Sequence, residues 1–279
     1  MELSDPTSDS EPTVLDVLGL EEIDRDLYRS MLVFDDPYPL YGGQVAAQAL
    51  LAAGRTVPAE RLPHSLHGYF LRRGDARRPT IFRVDRDRDG RSFSARRVVA
   101  LQGGDVVFSM SSSFAVPAEG PDLVADAPPQ AEPPDELRGY DVPRLFSMEG
   151  RKPSQPLEVE SYWPTRFWAR STVRLPDEPL MHACVLAYLS DIGTGLSAFP
   201  QDEAGAGPSL DHAVWFHRPA RLDDWVLMDL HPRTVSGGRG WYTGSVLTAD
   251  GTLCASFTQE SLFRPGLRPL SDGPPPRRA

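Results

Sequence analysis

Hydrophobic and polar residues along the chain form two blocks that have the same internal order. Each block contains an apolar run that suits a buried helix, VAAQALLAAG at 45–54 and PLMHACVLAYLSDIG at 179–193. Each run is followed by four segments in which apolar and polar residues alternate, and this period of two is typical of strands with one buried face. An apolar helix needs cover on nearly every side, which a curved sheet supplies. The pattern therefore predicts an α+β fold of two similar units.

The alternating segments give the expected strands, and the residues between them give the turns. The predicted strands occupy 64–73, 79–89, 92–102 and 105–116 in the first block, and 165–175, 209–219, 224–234, 240–250 and 252–263 in the second. Gly74, Asp89-Gly90 and Gly103-Gly104 are the expected turns of the first block. A further helix-like pattern covers 13–30, with Gly19 as an interruption.

The same pattern divides the chain into five segments. They are a disordered tail at 1–12, an N-terminal unit at 13–116, a linker rich in Pro, Glu and Asp at 117–157, a C-terminal unit at 158–264 and a second disordered tail at 265–279. The two units also align in register. Nearly constant spacings separate three pairs of residues, namely His67 and His212, Arg96 and Arg239, and Ser113 and Gln259. Constant offsets over half of a chain indicate an internal duplication.

Composition and charge restrict the class of protein. Of the 279 residues, 40% are hydrophobic and 24% are charged, as in a soluble globular protein. The net charge of −10 argues against nucleic-acid binding, which usually needs a basic surface. Neither a secretory signal nor a membrane-spanning run is visible. Cys184 and Cys254 lie in apolar runs, which indicates buried free thiols in a reducing cytoplasm and argues against a disulfide or a metal site.

The stretch GPSLDHAVWFHRP at 207–219 contains the residue types of a serine-hydrolase triad, with Ser209, Asp211 and His212 close together. Because alternate side chains of a strand point to opposite faces, Ser209 and His212 are expected on opposite sides of the sheet. The stretch also lacks the GxSxG turn that leads into a helix. A local triad is therefore not expected. Two interpretations are left, a polar strand end or one member of a site assembled from distant segments.

Two other polar residues in apolar surroundings favour the assembled site. Asp191 ends the run HACVLAYLSD, and Gln259 lies in LCASFTQESLF on the strand face that it shares with Ala255 and Phe257. Buried carboxylates and amides need partners, and Asp, Ser and Gln side chains can satisfy one another through a water. The alternative is that Asp191 only ends its helix and that Gln259 pairs with the backbone. These residues alone leave both interpretations open.

Seven segments together resemble the type II acyl-CoA thioesterases, the TesB-like family with a double hotdog fold. They are YGGQVAAQAL (41–50), HSLHGYFLRRGD (64–75), RDGRSFSARRVVALQ (88–102), PLEVE (156–160), LAYLSD (186–191), LDHAVWFHRP (210–219) and ASFTQE (255–260). The segments follow the family's order between about 35 and 264. The resemblance implies two tandem hotdog units, each an antiparallel sheet wrapped around a long helix, with the catalytic residues in the second unit.

The resemblance also implies the reaction, hydrolysis of fatty acyl-CoA to a free fatty acid and CoA without a metal or organic cofactor. Asp191, Ser209 and Gln259 match the residues that orient the attacking water in the family. The family often has Thr where this chain has Ser209, and Ser keeps the hydroxyl but loses the methyl that restricts χ1. Two rival functions stay open, a hotdog-fold hydratase or dehydratase acting on enoyl- or hydroxyacyl-CoA, and a non-catalytic acyl-CoA-binding protein.

Further expectations concern the substrate and the assembly. Backbone N–H groups of Gly42, Gly43 and Gln44, near a helix start, are candidates for an oxyanion hole. Arg96, in an Arg-rich strand, is a candidate contact for the CoA phosphates. Acyl-CoA is the expected partner, and neither a membrane nor a nucleic acid is expected. Because hotdog sheets often associate edge to edge, we also expect a homo-oligomer (a dimer or a tetramer) in the cytoplasm.

Overall fold

The structure is a computed structural model that describes residues 11–36, 38–142, 145–156 and 163–267. The tails predicted at 1–12 and 265–279 lie mostly outside these residues, and so does most of the PLEVE segment.

Three α-helices and fourteen strands make up the described part of the chain. The helices are α1 (Val14–Leu18), α2 (Gly42–Gly54) and α3 (Pro179–Ser190), with short 3-10 helices at Pro134–Glu136 and Thr194–Leu196. The first strands are β1 (Leu20–Asp24), β2 (Leu27–Ser30), β3 (Leu62–Phe70), β4 (Ile81–Asp89), β5 (Phe93–Gln102), β6 (Asp105–Ala115), β7 (Gly139–Tyr140) and β8 (Met148–Arg151). The others are β9 (Arg166–Ser171), β10 (Gly205–Ser209), β11 (Asp211–Phe216), β12 (Val226–Ser236), β13 (Arg239–Thr248) and β14 (Leu253–Arg264).

One antiparallel sheet contains all the described strands, and the two halves of the chain repeat one strand order within it. In the first half β2, β4, β5, β6 and β3 are successive neighbours, and in the second half β9, β12, β13, β14 and β11 take the same places. β3 and β11 pair with each other at the centre, where Leu66 lies opposite Val214. The predicted antiparallel sheet and few helices are therefore confirmed, and the two halves share one strand order within the sheet.

Helix α2 is buried on all sides, as its apolar run predicts. Every residue after Gly42 is buried, and the helix packs on β3, β4, β5, β6 and α3. The two helices run antiparallel, because Gly43 faces Tyr188 near the end of α3 and Gly54 faces Leu180 near its start. A Cβ at Gly43 would overlap the carbonyl oxygen of Tyr188. Glycine therefore permits a backbone contact between the helices at this point.

The helix predicted at 13–30 is wrong beyond its first turns. Only Val14–Leu18 is helical, and Thr13 and Asp16 cap it in a capping box. The chain leaves the helix at Gly19 and forms the hairpin of β1 and β2, whose turn includes Asp26 at a φ of 60°. In β1 only the first residue is buried, so this edge strand shows no alternation by which the sequence could have revealed it.

Part of the segment predicted as a linker at 117–157 extends the sheet. β8 pairs with β9, with Gly150 opposite Ala169, and β7 pairs with β8. Trp168 Nε1 donates to the carbonyl oxygen of Glu132 at 2.9 Å, which ties a more distant part of the segment to β9. The segment therefore covers the outer edge of the second half, although its own sequence has little periodicity.

The register used to infer the duplication does not hold residue by residue. His67 is exposed, whereas His212 is fully buried. Arg96 is buried, whereas the side chain of Arg239 is half exposed. The repeat therefore lies in the order of helix and strands, and the constant offsets compare residues that occupy different environments.

Replacement of Gly43 by Ala tests the contact between the helices. Ala favours a helix over Gly by about 1 kcal/mol, but the added methyl overlaps a backbone oxygen that moves only if α3 moves. We expect the overlap to prevail and the free energy of unfolding in urea to fall by about 1–3 kcal/mol. Gly120→Ala is the control, because a Cβ there has no atom within 4 Å. A Gly43→Ala protein as stable as the wild type would contradict the packing described.

Candidate active site

Asp191 lies where α3 ends and α2 begins. It is the C-cap residue of α3, and a Cβ at Gly42 would overlap its Oδ2 atom. The N–H groups in the first turn of an α-helix have no acceptor within the helix, and this end of the helix favours negative charge. Asp191 is only 5% exposed. The antiparallel helix pair thus buries a carboxylate against a helix N-terminus.

Ser209 and Gln259 meet Asp191 at a single oxygen. Ser209 Oγ donates to Asp191 Oδ1 at 2.9 Å, and Gln259 Nε2 donates to the same atom at 2.6 Å. Gln259 Nε2 also donates to Ser209 Oγ. The structure therefore brings together the three residues that the sequence analysis selected. Asp191 does end its helix, but its carboxylate also binds side chains from two strands, and the Gln259 amide binds these side chains instead of the backbone.

A one-residue shift in the pairing of β10 and β11 with β14 turns the Ser209 side chain toward Asp191 and Gln259. Ser209 lies opposite Ser261 of β14, whereas Ala213 lies opposite Thr258, so four steps along one strand match three along the other. The extra residue, Leu210, separates β10 from β11. A shift of one residue reverses the alternation of side chains between the two faces.

This shift overturns the expectation that Ser209 and His212 point to opposite faces. His212 Nε2 lies 2.8 Å from the Oγ atom of Ser190, the residue before Asp191. Because Ser190 Oγ donates to the carbonyl oxygen of Ala187, it accepts the Nε2 proton. Burial lowers the pKa of His212 from 6.5 to about 3. His212 is therefore a neutral group, and its hydrogen bond to Ser190 fixes the end of α3. Its Nε2–H is used in this bond and not in one to Ser209.

Tyr242 is a member of the cluster that the sequence analysis missed. Its hydroxyl donates to Gln259 Oε1 at 2.6 Å from the directly opposite position on β13. This bond fixes the amide so that Nε2 faces Asp191 and Ser209. Burial, with the negative charge of Asp191, raises the pKa of Tyr242, so the hydroxyl remains a donor. The alternation of its strand indicates an inward side chain, but it does not show which residue lies across from it.

Gly42, Gly43 and Gln44 form the first turn of α2 and not a turn before it. Gly42 lies against Asp191, Gly43 lies against the end of α3, and Gln44 is buried. The backbone expected to supply an oxyanion hole therefore adjoins the carboxylate of the cluster.

Arg96 does not lie with these residues, and it does not face solvent as its Arg-rich strand suggests. Its Nε atom donates to Thr56 Oγ1 at 2.7 Å, and its Nη2 atom donates to Thr56 O and to Asp89 Oδ1. Its Nη1 atom donates to the carbonyl oxygens of Arg88 and Ala95. A buried guanidinium whose donors are used in this way is a structural group that ties β4 and β5 to the end of α2. This corrects the expectation of a phosphate contact at Arg96.

Three further features of the described residues concern metal ions, membranes and cysteines. No group of three or more His, Cys, Asp or Glu side chains there is arranged to hold a metal ion. No helix in the same residues has the length and apolar character that crossing a membrane requires. Cys184 and Cys254 are free and buried, as their apolar surroundings predict.

Nearly the whole chain matches known protein families and individual known proteins. The family model described as acyl-CoA thioesterase N-terminal domain matches residues 35–115, and the one described as acyl-CoA thioesterase C-terminal domain matches 117–263. Human acyl-coenzyme A thioesterase 8 is 33% identical over 90% of this chain and 88% of its own length. Acyl-CoA thioesterase 2 of Haemophilus influenzae is 32% identical over 92% of this chain and 99% of its own length.

Solved structures agree with these matches. The acyl-CoA thioesterase II TesB2 of Mycobacterium marinum is 39% identical, with a TM-score of 0.77 over 92% of this chain and 99% of that one. A protein of unknown function with a hot dog fold from Alicyclobacillus acidocaldarius reaches a TM-score of 0.70 at 20% identity, over 90% of this chain and 98% of that one. The second likeness concerns the fold alone, and it identifies the architecture as hotdog.

Substitution of Arg96 by Met separates the structural role from a binding role. The change leaves three carbonyl oxygens and Thr56 Oγ1 without their donor, so we expect the free energy of unfolding to fall by about 2–3 kcal/mol. Affinity for CoA, measured by calorimetry on the folded variant, should stay within twofold of the wild-type value, an allowance of about 0.4 kcal/mol. Full stability with a large loss of CoA affinity would contradict this assignment.

The buried ring of His212 predicts that stability depends on pH. Because its pKa falls from 6.5 to about 3 on folding, only the unfolded chain binds this proton between those values. The stability that the neutral ring contributes is present above about pH 6.5 and is lost as the pH falls toward 3. His212→Gln keeps a side-chain N–H for Ser190 and removes the titration. Between about pH 7 and pH 5 we expect the free energy of unfolding, measured in urea, to depend less steeply on pH in the variant than in the wild type. An equal pH dependence in the two proteins would refute the assignment.

Proposed function

The chain belongs to the acyl-CoA thioesterase family and is an acyl-CoA thioester hydrolase with a hotdog fold, and we propose that it cleaves fatty acyl-CoA by direct attack of a water that Asp191, Ser209 and Gln259 orient. The observation that carries this proposal is the convergence of Ser209 and Gln259 on Asp191 Oδ1, beside the start of α2. We also infer that the two halves are tandem hotdog units, because they share one strand order.

In this scheme Asp191 is the general base. A carboxylate offers about four acceptor positions, and the two donors at Oδ1 hold it in one orientation. The water oxygen attacks the thioester carbonyl carbon while one water proton passes to the carboxylate. The carbon–sulfur bond then breaks, and the proton moves from Asp191 to the departing CoA sulfur, so that a carboxylic acid and a thiol are formed. Proton transfer of this kind contributes about 10²–10⁴-fold to the rate.

The start of α2 is the proposed oxyanion site. Attack turns the thioester oxygen into an anion, and backbone N–H groups at a helix N-terminus stabilise such a charge. Gly42 and Gly43 lie in the first turn of α2, and Gly42 touches the carboxylate. A carbonyl group bound beside Asp191 and this turn would have both the base and the N–H donors within reach.

Ser209 and Gln259 position the base and, through it, the water. Ser209 Oγ donates to Asp191 and accepts from Gln259, so the hydroxyl is held from two sides. These two bonds restrict χ1 of Ser209, a restriction that a Thr methyl would otherwise supply. The contacts therefore support activity with Ser in place of the Thr often found in the family.

Asp191→Asn tests the assignment of the base. The amide keeps the size of the side chain but accepts no proton, so we expect kcat on a fatty acyl-CoA to fall by about 10²–10⁴-fold with the fold intact. The measurement is release of free CoA thiol, followed with a thiol reagent over a series of acyl chain lengths.

Asp211→Asn is the matched control. Asp211 Oδ1 accepts from the backbone N–H of Glu260 at 2.8 Å, a bond that an Asn oxygen retains, so activity should stay near the wild-type value. An Asp191→Asn protein with full activity would remove Asp191 from the mechanism. The wild-type assay also separates the rival functions, because a hydratase or a binding protein releases no thiol from any acyl-CoA.

A further inference from the structure

A cavity of about 380 Å³ lies at the opposite end of the helix pair from Asp191. The start of α3, the start of β3 and the loop after β11 form its walls. Gly54 at the end of α2 touches Leu180, so the cavity lies where α2 ends and α3 begins. Its volume is within the range of small-molecule sites. The helix pair thus has the Asp191 cluster at one end and this cavity at the other.

The cavity has a mainly apolar wall. Apolar side chains that line it come from β3, α3, β11 and the loop after β11, and they include Leu62, Ala183, Leu186, Phe216 and Leu222. Leu186 and Leu222 are themselves buried. An aliphatic chain placed against this wall would remove apolar surface from water, which favours its binding.

His182 supplies a buried donor at this wall. It lines the cavity and is only 5% exposed. Its Nδ1 atom accepts the backbone N–H of Leu222 at 3.1 Å, which places the ring proton on Nε2. Burial lowers the pKa of His182, so the ring is neutral. Among the described residues Nε2 has no hydrogen-bond partner. A buried donor left unpaired is costly, so it suggests a ligand that brings an acceptor.

Two arginines line the same cavity, and they differ in how firmly they are paired. Arg221 pairs with Asp177 and with Asp223, whose side chain is only 14% exposed. Arg218 pairs with Asp122, whose side chain is 71% exposed. Ion pairs with exposed partners are weak and screened, so the Arg218 guanidinium remains available to attract an anion. The cavity therefore combines an apolar wall with an unpaired N–H donor and one available cation.

We propose that this cavity is a second ligand site, which binds an aliphatic monocarboxylate of the fatty-acid class. The carboxylate accepts a hydrogen bond from Nε2–H of His182 and lies near Arg218, and the hydrocarbon chain covers the apolar wall. The site binds without hydrolysis, because the C-cap residue of α2 is Arg55 where that of α3 is Asp191. The proposal goes beyond the catalytic scheme, since none of these residues takes part in it.

His182→Asn tests the donor. The Asn oxygen takes the place of Nδ1 as acceptor for Leu222 N–H, and the group at Nε2 is lost. Titration calorimetry with decanoate should show two sites per wild-type chain, of which only one weakens in the variant, by about tenfold or more. Decyltrimethylammonium has the same chain with a cationic head, and it should not fill the second site.

Ala183→Leu tests the wall independently, because it fills the cavity from α3. We expect the second decanoate site to disappear while thiol release from acyl-CoA stays unchanged. Ala249→Leu, at an exposed turn position outside the cavity, should retain both sites. One decanoate site per wild-type chain would overturn the proposal. So would a second site of unchanged affinity in both folded variants, or one that takes the cation equally well.

Discussion

The backbone contact between α2 and α3 is the constraint on which the site depends. Glycine at the start of α2 lets the end of α3 approach closely enough for Asp191 to touch the first helical turn. A larger residue at Gly42 or Gly43 would move the Asp191 carboxylate away from the backbone N–H groups in the first turn of α2. The same antiparallel arrangement determines that each end of the helix pair has one helix start and one helix end.

A second constraint comes from the sheet. The extra residue at Leu210 turns Ser209 toward the helix side, where Gln259 already projects from a buried strand. Tyr242 then fixes the Gln259 amide, so donors and acceptors in the cluster match. Matched networks in a buried place hold their members in a single arrangement. Helices and sheet thus act together, because the helices position the Asp191 carboxylate and the sheet positions Ser209 and Gln259, which bind it.

The sequence predicted helices α2 and α3, most strands and the three clustered side chains, because each leaves a local signal. Asp191 and Gln259 are polar residues within apolar runs, and family resemblance assigned roles to them. Features that depend on contacts between strands left no such signal. The shift at Leu210 exists only relative to β14, and the partner of Tyr242 lies on the neighbouring strand. Arg96 lies in an Arg-rich strand that resembles a solvated face, although the bonds it makes bury it.

The central pairing of β3 with β11 has a consequence for how the site responds to dilution. Gly42 comes from the first half of the chain and Asp191 from the second, so the site spans the junction between the halves. If the halves were separate molecules, their association would follow mass action and weaken at low concentration. A covalent connection replaces this with a fixed effective concentration. The two-part site therefore stays assembled however scarce the protein is in its surroundings.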